Sequence, residues 1–239
     1  MDGPGMEGVV EAALRDARTL ATGGAAGVIV ENIGDAPFSA DRVEPHVVAM
    51  LAVVARSVVQ DFGDRLVVGI NALRNDALGA VGAAAASGAS FVRVNVHTGV
   101  MATDQGLIEG RARDTLLYRK QLGVHVAIAA DVLVKHAVPV GNVNLVQLAQ
   151  DTFYRGGADV LIHTGTGTGK AVDMDALRLL RESCPNVPFW VGSGVNAANA
   201  AELATLCDGA IVGTYLHRDG DLSAPLELAR VREIASLLS

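Results

Sequence analysis

Short runs of β-branched and other apolar residues alternate with longer amphipathic segments along almost the whole chain, and this alternation limits the fold more than any other feature. Strands that alternate with helices are typical of βα units on a parallel sheet. The runs that we interpret as strands lie at 27–32, 66–71, 91–95, 124–131, 159–163, 187–192 and 209–213. The segments that we interpret as helices lie at 6–21, 44–61, 75–87, 108–122, 144–155, 173–183, 197–206 and 225–238.

Glycine follows several predicted helices just before the next strand, as at Gly24, Gly88 and Gly157. Glycine tolerates the left-handed conformation that ends many helices, so these steps indicate a repeated αβ junction. We therefore predict a TIM-type (β/α)8 barrel. Such a barrel begins with a strand, whereas this chain begins with a helical segment; we expect its first strand to be missing here and the true start to lie upstream.

The length, net charge and cysteine content of the chain limit its domain number, partners and location. The chain has 239 residues and no linker rich in Pro or Ser, so we predict a single domain over residues 1–239. A net charge of −7 argues against a nucleic-acid partner, which requires a clustered positive surface. The two cysteines form no CxxC pair, and no secretory signal or integral membrane segment is evident, so we expect a cytoplasmic protein.

The polar residues of greatest interest follow the first four predicted strands. The carboxyl ends of barrel strands carry the active site in enzymes of this architecture. Asp131 ends a strand, and we predict that it or Glu31 is an acid/base group, because each is held by a rigid, partly desolvated sheet. Lys135 follows four residues after Asp131, and we predict that the two form one unit in which Lys135 is a Schiff-base nucleophile or an anion partner.

Other side chains at the same rim are candidates for binding a substrate. The predicted substrate-binding residues are Asn71, Arg74, Asn95, Asp104, Gln105 and His136. Strand alternation places Arg93 on the face of Asn95, where it needs a buried carboxylate such as Glu31. A polar network that only caps the barrel is the alternative. No metal site is predicted, since His97 and His136 form no ligand pair; no cofactor is evident, and a divalent metal is left open.

The late loops are rich in glycine and hydroxyl groups, which predicts a phosphate site. Barrels of this type commonly bind phosphate on the loops after their last two strands, where backbone N–H groups approach an anion closely. The predicted phosphate-binding residues are Gly165, Gly192, Ser193, Gly194, Gly213 and Thr214. The run that ends in Lys170 is not a P-loop, because Thr164 replaces its first glycine and Ala171 its Ser or Thr.

Together these residues predict a metabolic enzyme of the lyase, isomerase or transferase class. Its partner would be a small phosphorylated, sugar-like metabolite, transformed by proton abstraction or carbon–carbon bond chemistry. A homo-oligomer is left open.

A set of short strings resembles the BtpA family, which includes proteins named SgcQ. In order, these are VEN at 30–32, GDAPF at 34–38, LRND at 73–76, RVNV at 93–96, TDQGLI at 103–108, ADV at 130–132, VKHA at 134–137, GSGV at 192–195 and DGAIVG at 208–213. The resemblance implies a TIM-type barrel. It also implies an alternative function as a non-catalytic factor for a membrane complex, because cyanobacterial members act in photosystem I biogenesis or stability. Other members occur beside sugar-metabolism genes.

Overall fold

The computed structural model describes residues 5–164 and 172–239, which alternate between strands and helices as the sequence predicts. The strands of this part of the chain are β1 (Gly27–Glu31), β2 (Val67–Asn71), β3 (Phe91–Val94), β4 (Val100–Thr103), β5 (Gly106–Glu109), β6 (Ala127–Leu133), β7 (Ala137–Pro139), β8 (Val160–Thr164), β9 (Phe189–Gly192) and β10 (Gly209–Ile211). Its α-helices are α1 (Met6–Gly23), α2 (Pro45–Phe62), α3 (Ala77–Ser87), α4 (Ala112–Leu122), α5 (Leu145–Gln150), α6 (Met174–Ser183), α7 (Ala200–Leu203) and α8 (Leu228–Leu237).

The seven predicted strands form one parallel sheet with the order β1-β2-β3-β6-β8-β9-β10. Each neighbouring pair runs parallel, and the connecting helices pack outside. Within the described residues β1 and β10 are the sheet edges, and every residue of both strands is partly exposed. The sheet is therefore an open barrel of seven strands.

The helical layer continues across the opening that the sheet leaves. Helix α1 packs against both α2 and α8. At its end, Gly23 lies so close to α8 that an added Cβ would be 2.3 Å from a side-chain carbon of Val231, so the two helices meet closely at this glycine. Gly24 then ends α1 with a left-handed φ of 90°, and Gly88 ends α3 with 82°, which confirms the predicted glycine junctions.

Helix α2 follows from the spacing of its apolar residues. Val47, Leu51, Val54 and Val58 recur at helical intervals and are buried against the sheet. By length and mean hydropathy (1.2) α2 is long and apolar enough to cross a membrane, and a third of it is buried inside the fold. Among the described residues it is the one helix that meets both criteria, and its buried face is that of a core helix.

At two αβ junctions, an aspartate just before a strand accepts hydrogen bonds from a neighbouring strand and from an arginine of a helix. Asp159 precedes β8 and accepts hydrogen bonds from the Ile128 backbone N–H (2.8 Å) and from Arg119 of α4 (2.9 Å). Asp208 precedes β10 and accepts them from the Phe189 N–H and from Arg181 of α6, both at 2.8 Å. In both βα units these hydrogen bonds connect a helix to the sheet at the amino ends of the strands.

A second, three-stranded antiparallel sheet with the order β5-β4-β7 lies at the rim and was not predicted. The predicted helix at 108–122 is wrong at its start: Ile108 belongs to β5 and α4 begins at Ala112. Gly106, with φ of 103°, turns the chain from β4 to β5, and Ile108 then pairs with Met101 over a small core. The alternation of exposed and buried residues in β5 is too short to be distinguished, in the sequence, from the first turn of a helix.

The outer face of this small sheet is apolar. Ala102 of β4 is directly opposite Leu107 of β5 and Val138 of β7, and Leu107 and Val138 are 65% and 66% exposed.

Two predicted helices differ from regular helices of the expected length: 144–155 is helical over 145–155 but changes type, and 197–206 is shorter. The segment 144–155 divides into α5 and a π-helical turn, Asp151–Arg155. The segment 197–206 contains the four-residue α7, so the expected helix start at Asn196 or Ala197 is wrong.

Candidate functional site

The barrel interior is closed by apolar side chains toward the amino ends of the strands. Phe91 and Trp190 meet edge to face, with ring centroids 5.3 Å apart. Gly69 makes room for this contact, since an added Cβ would lie 2.2 Å from the Phe91 ring. The next inward positions, toward the carboxyl ends, are polar.

An ion pair between Arg93 and Asp131 forms the floor of the polar region. Arg93 Nε and Nη2 donate to Asp131 Oδ1 and Oδ2 at 3.1 and 3.0 Å, and Asn95 Nδ2 donates to Oδ2 at 3.0 Å. Burial alone lowers the pKa of Arg93, but the charge and hydrogen bonds of Asp131, with the charge of Glu31, outweigh it and raise that pKa. The pair is therefore a fixed, charge-balanced feature of the core.

The expectation that Glu31 is the direct partner of Arg93 is wrong, and the strand order explains why. Strand β3 lies beside β6, with Arg93 opposite Ala129, so Asp131 is the next inward side chain along β6. Strand β1 lies two strands away, and Glu31 is opposite Asn71 of β2. Asn71 Nδ2 donates to Glu31 Oε2 at 3.2 Å.

Lys135 is half-buried in the loop that follows β6. Burial lowers the pKa of Lys135, the positive charges of Arg93 and Arg74 lower it further, and Glu31 and Asp131 oppose them. Asp131 thus acts on the Lys135 charge as expected, but not through an ion pair: in residues 5–164 and 172–239, no carboxylate forms a salt bridge with this ammonium. The oxygens of Asp131 face Arg93 and Asn95 instead.

Arg74 follows β2 and reaches the same loop. Its Nη2 donates to the Lys135 carbonyl oxygen at 2.6 Å, and its side chain is almost entirely buried. Burial lowers the pKa of Arg74, Asp131 and Asp104 raise it, and Arg93 lowers it. The sequence-predicted residues Glu31, Asn71, Arg74, Asn95, Asp131 and Lys135 thus come together at one rim.

The remaining substrate-binding candidates lie further out. Asp104 and Gln105 form the turn between β4 and β5, where Gln105 Nε2 donates to the Asp104 carboxylate. Asp104 is exposed, yet its charge reaches Arg74. His136 is exposed beside Lys135 and has a left-handed φ of 58°.

The late glycine loops differ from a simple phosphate cradle. Ser193 and Gly194 both have φ of 74°, and part of the loop's hydrogen bonding is internal: the Asn196 N–H donates to Asn199 Oδ1, and the Ala198 N–H to Asn196 Oδ1. A helix as short as α7 directs little dipole at the loop. Gly213 and Thr214 begin a 3₁₀ turn, while Gly165 and Lys170 lie outside the described residues. Phosphate binding here stays a prediction.

Two buried polar side chains have atoms without a hydrogen-bond partner among the described residues: His163, which was not singled out from the sequence, and Asn95, which was predicted to bind substrate. His163 is 3% exposed, and within residues 5–164 and 172–239 neither ring nitrogen has a hydrogen-bond partner. Burial lowers the pKa of His163. Asn95 Oδ1 is also buried without a donor. The alternation that placed Asn95 beside Arg93 was the available signal for its inward orientation, whereas His163 lay in a strand with no polar pattern. In the described part of the chain, no three His, Cys, Asp or Glu side chains are grouped as a metal site.

Comparison of the whole fold identifies barrel enzymes as structural neighbours. N-(5'-phosphoribosyl)anthranilate isomerase from Pyrococcus furiosus superimposes with a TM-score of 0.62 and 16% identity, over 95% of this chain and 94% of the isomerase. Orotidine 5'-phosphate decarboxylase from Pyrococcus horikoshii gives a TM-score of 0.60 and 14% identity, over 99% of this chain and 96% of that enzyme. At such identities the likeness shows the fold alone, and it confirms the TIM-barrel prediction.

Sequence comparison identifies the family. Photosystem I biogenesis protein BtpA from Synechocystis is 45% identical over 96% of this chain and 79% of the relative. Putative sgc region protein SgcQ from Escherichia coli is 26% identical over 96% of this chain and 84% of the relative. Residues 2–239 match the BtpA family as a whole, which confirms the resemblance, and this chain is therefore a member of the BtpA family.

Proposed function

We propose that this chain is an enzyme that binds a small phosphorylated, sugar-like carbonyl compound at the rim and uses the Lys135 amine as its nucleophile. The observation that carries the proposal is the position of Lys135, a half-buried amine whose pKa is lowered by burial and by Arg93. A lowered pKa enlarges the unprotonated fraction at neutral pH, and only that form attacks a carbonyl. The names of the two structural neighbours, an isomerase of a phosphoribosyl compound and a 5'-phosphate decarboxylase, support a phosphorylated substrate.

The proposed step is formation of a Schiff base. The Lys135 Nζ lone pair forms a bond to the carbonyl carbon, and the carbonyl oxygen leaves as water with one proton from the amine and one from a neighbouring acid. The protonated imine that remains withdraws electrons from the adjacent carbon, so a C–H or C–C bond there breaks more easily. This chemistry suits a lyase or an isomerase.

Glu31 is the group that we assign to proton transfer. It is half-buried, it accepts a hydrogen bond from Asn71, and its charge acts on Lys135. Asp131 accepts three hydrogen bonds from Arg93 and Asn95. We therefore propose that Asp131 is a positioning residue that holds Arg93 beside Lys135, and not the acid/base group that its place at a strand end predicted.

Borohydride trapping tests the proposal. The purified chain is incubated with a panel of phosphorylated aldoses and ketoses and with simple 2-oxo acids, reduced with borohydride and examined by intact-mass and peptide mass spectrometry. We expect a reduced adduct on the Lys135 peptide with at least one carbonyl compound. The adduct should be absent in Lys135→Ala and present in Lys120→Ala, because Lys120 is an exposed lysine of α4. An adduct that persists in Lys135→Ala, or no adduct with any compound, would refute the proposal.

A non-catalytic role in the biogenesis of a membrane complex is the second candidate. It is favoured by the name of the Synechocystis relative and by the exposed apolar row of Leu107, Ala102 and Val138. The two candidate functions are distinguished by replacing the Synechocystis relative with this chain and measuring the amount of photosystem I. An assembly factor should tolerate Lys135→Ala and fail with Leu107→Asp plus Val138→Asp, and an enzyme should show the reverse.

A further inference from the structure

Arg74 is a buried cation without a counter-ion in the part of the chain that the structure describes. It is 5% exposed, similar to Arg93 at 7%. Arg93 is neutralised by the two oxygens of Asp131, whereas the guanidinium of Arg74 has one hydrogen-bond acceptor there, the Lys135 carbonyl oxygen. Burial of a charge costs free energy unless an opposite charge compensates it, and a neutral carbonyl compensates only partly.

The surroundings of Arg74 favour one further negative charge. Three cations, Arg74, Arg93 and Lys135, influence one another here, together with the two partly or fully buried carboxylates of Glu31 and Asp131. Asp131 is paired with Arg93 and Glu31 is hydrogen-bonded to Asn71, so neither carboxylate forms an ion pair with Arg74, whether or not Lys135 is protonated. Asp104 also acts on Arg74, but it is exposed, and solvent screens its charge. A ligand with one negative charge would supply the ion pair that Arg74 lacks in the described part of the chain.

A second observation also indicates a ligand at this rim. Asn95 Oδ1 is buried and receives no hydrogen bond from any described residue, although Asn95 Nδ2 donates to Asp131. A buried acceptor of this kind requires a donor, and a substrate hydroxyl supplies one. Arg74 contacts the Lys135 backbone and Asn95 contacts Asp131, so the anion receptor and the free acceptor belong to the same polar rim.

We infer that Arg74 binds a carboxylate attached to the carbonyl carbon that Lys135 attacks, so that the substrate is a 2-oxo acid. This inference rests on the proposed function for the role of Lys135, but not for the binding site itself. The planar guanidinium fork fits a carboxylate, and its remaining N–H groups are available for it. A carboxylate is preferred to a phosphate because a second negative charge would face the neighbouring Asp131 and Glu31.

Binding of pyruvate, a small 2-oxo acid, tests the inference, and Lys135→Ala allows the measurement without Schiff-base formation. Calorimetry compares pyruvate with inorganic phosphate on wild type, Lys135→Ala, Arg74→Gln and, as the matched control, Arg113→Gln, an exposed arginine of α4. We expect pyruvate to bind more tightly than phosphate to wild type and to Lys135→Ala, and at least tenfold more weakly to Arg74→Gln. Arg113→Gln should match wild type.

Several results would overturn the inference: no pyruvate binding to wild type, equal affinity in Arg74→Gln, or tighter Arg74-dependent binding of phosphate. If Arg74→Gln does not fold, ¹⁵N-arginine NMR of wild type decides, since pyruvate must shift the Arg74 Nε resonance. Borohydride trapping distinguishes the two proposals. Arg74-dependent pyruvate binding without a Lys135 adduct refutes the nucleophile and leaves the carboxylate site standing.

Discussion

The Arg93–Asp131 pair gives the sharpest quantitative prediction, through the substitution Asp131→Asn. The two side chains are 7% and 0% exposed, so the loss of one charge leaves the other buried without compensation. Removing one partner of a buried pair typically costs about 3–5 kcal/mol in the free energy of unfolding. In a chain of this length that cost corresponds to a fall of roughly 6–20 °C in Tm. The amide is nearly isosteric with the carboxylate, so the cost comes from charge and not from a cavity.

Urea unfolding followed by circular dichroism measures this cost, with two control variants. Asp64→Asn breaks the exposed contact with Arg65 and should change stability by less than about 1 kcal/mol. The double variant Arg93→Met plus Asp131→Leu replaces the pair by apolar side chains of similar volume and should recover most of the loss. In the single variant Arg93 loses the partner that positions it, and we expect Lys135 adduct formation to fall in the folded protein although the loss of the Asp131 charge lowers the Lys135 pKa further.

Two results would refute the reasoning. A cost for Asp131→Asn no larger than that of Asp64→Asn would mean that the pair is solvated and does not form a fixed floor. A double variant as unstable as the single one would mean that the geometry of the pair, and not its charge balance, stabilises the barrel.

Two further predictions concern His163 and the late glycine loop. Burial lowers the pKa of His163, so from about pH 6.5 downward the unfolded chain binds a proton that the folded chain does not, and the free energy of unfolding should fall as the pH drops. His163→Leu removes no hydrogen bond to the described residues and should flatten that fall, measured by urea unfolding between pH 7.5 and 5.5. If the slope is unchanged in His163→Leu, this histidine is not the group responsible. Gly194→Val should abolish calorimetric binding of a phospho-ligand, whereas Gly141→Val, which places the same side chain at another left-handed glycine, should leave it intact. Equal affinity in wild type and Gly194→Val would locate the phosphate elsewhere.

The parallel sheet could be predicted from the sequence because each of its strands is a continuous apolar run between glycine and polar residues. Strands β8 and β9 illustrate this: they are buried on both faces, so their hydrophobicity does not depend on pairing partners. The small rim sheet could not be predicted in the same way. Its strands β4 and β7 pair across more than thirty residues of chain, and its outer face, with Leu107 and Val138, lacks the polar alternation that marks a half-exposed sheet.

The set of residues at the rim was predictable, whereas their pairing was not. Strand ends identify which side chains converge, and Glu31, Asn71, Asn95 and Asp131 do converge. Which carboxylate faces Arg93 depends on the order of strands in the sheet, and that order places β3 beside β6. The burial of Arg74 depends on the path of its loop toward Lys135, which no local pattern in the sequence indicates.

The charged and the glycine-rich parts of the rim are carried by different strands of the sheet, and this division determines how a substrate would be oriented. Strands β1, β2, β3 and β6 are consecutive in the sheet and carry every charged group around Lys135, while β9 and β10 end in glycine-rich loops. Gly192 lies between the two parts: an added Cβ would be 3.7 Å from Arg93 Nη2 and 3.1 Å from Thr164 Cγ2. Glycine at this position lets the end of β9 pack close to Thr164, with no side chain between β9 and Arg93. A 2-oxo acid with its carboxylate on Arg74 and its carbonyl at Lys135 would extend across Gly192, which brings a phosphate at its far end to the late loops. A side chain at position 192 would obstruct that path, so the two proposed anion sites are joined by the one inward position at the end of β9 that has no side chain.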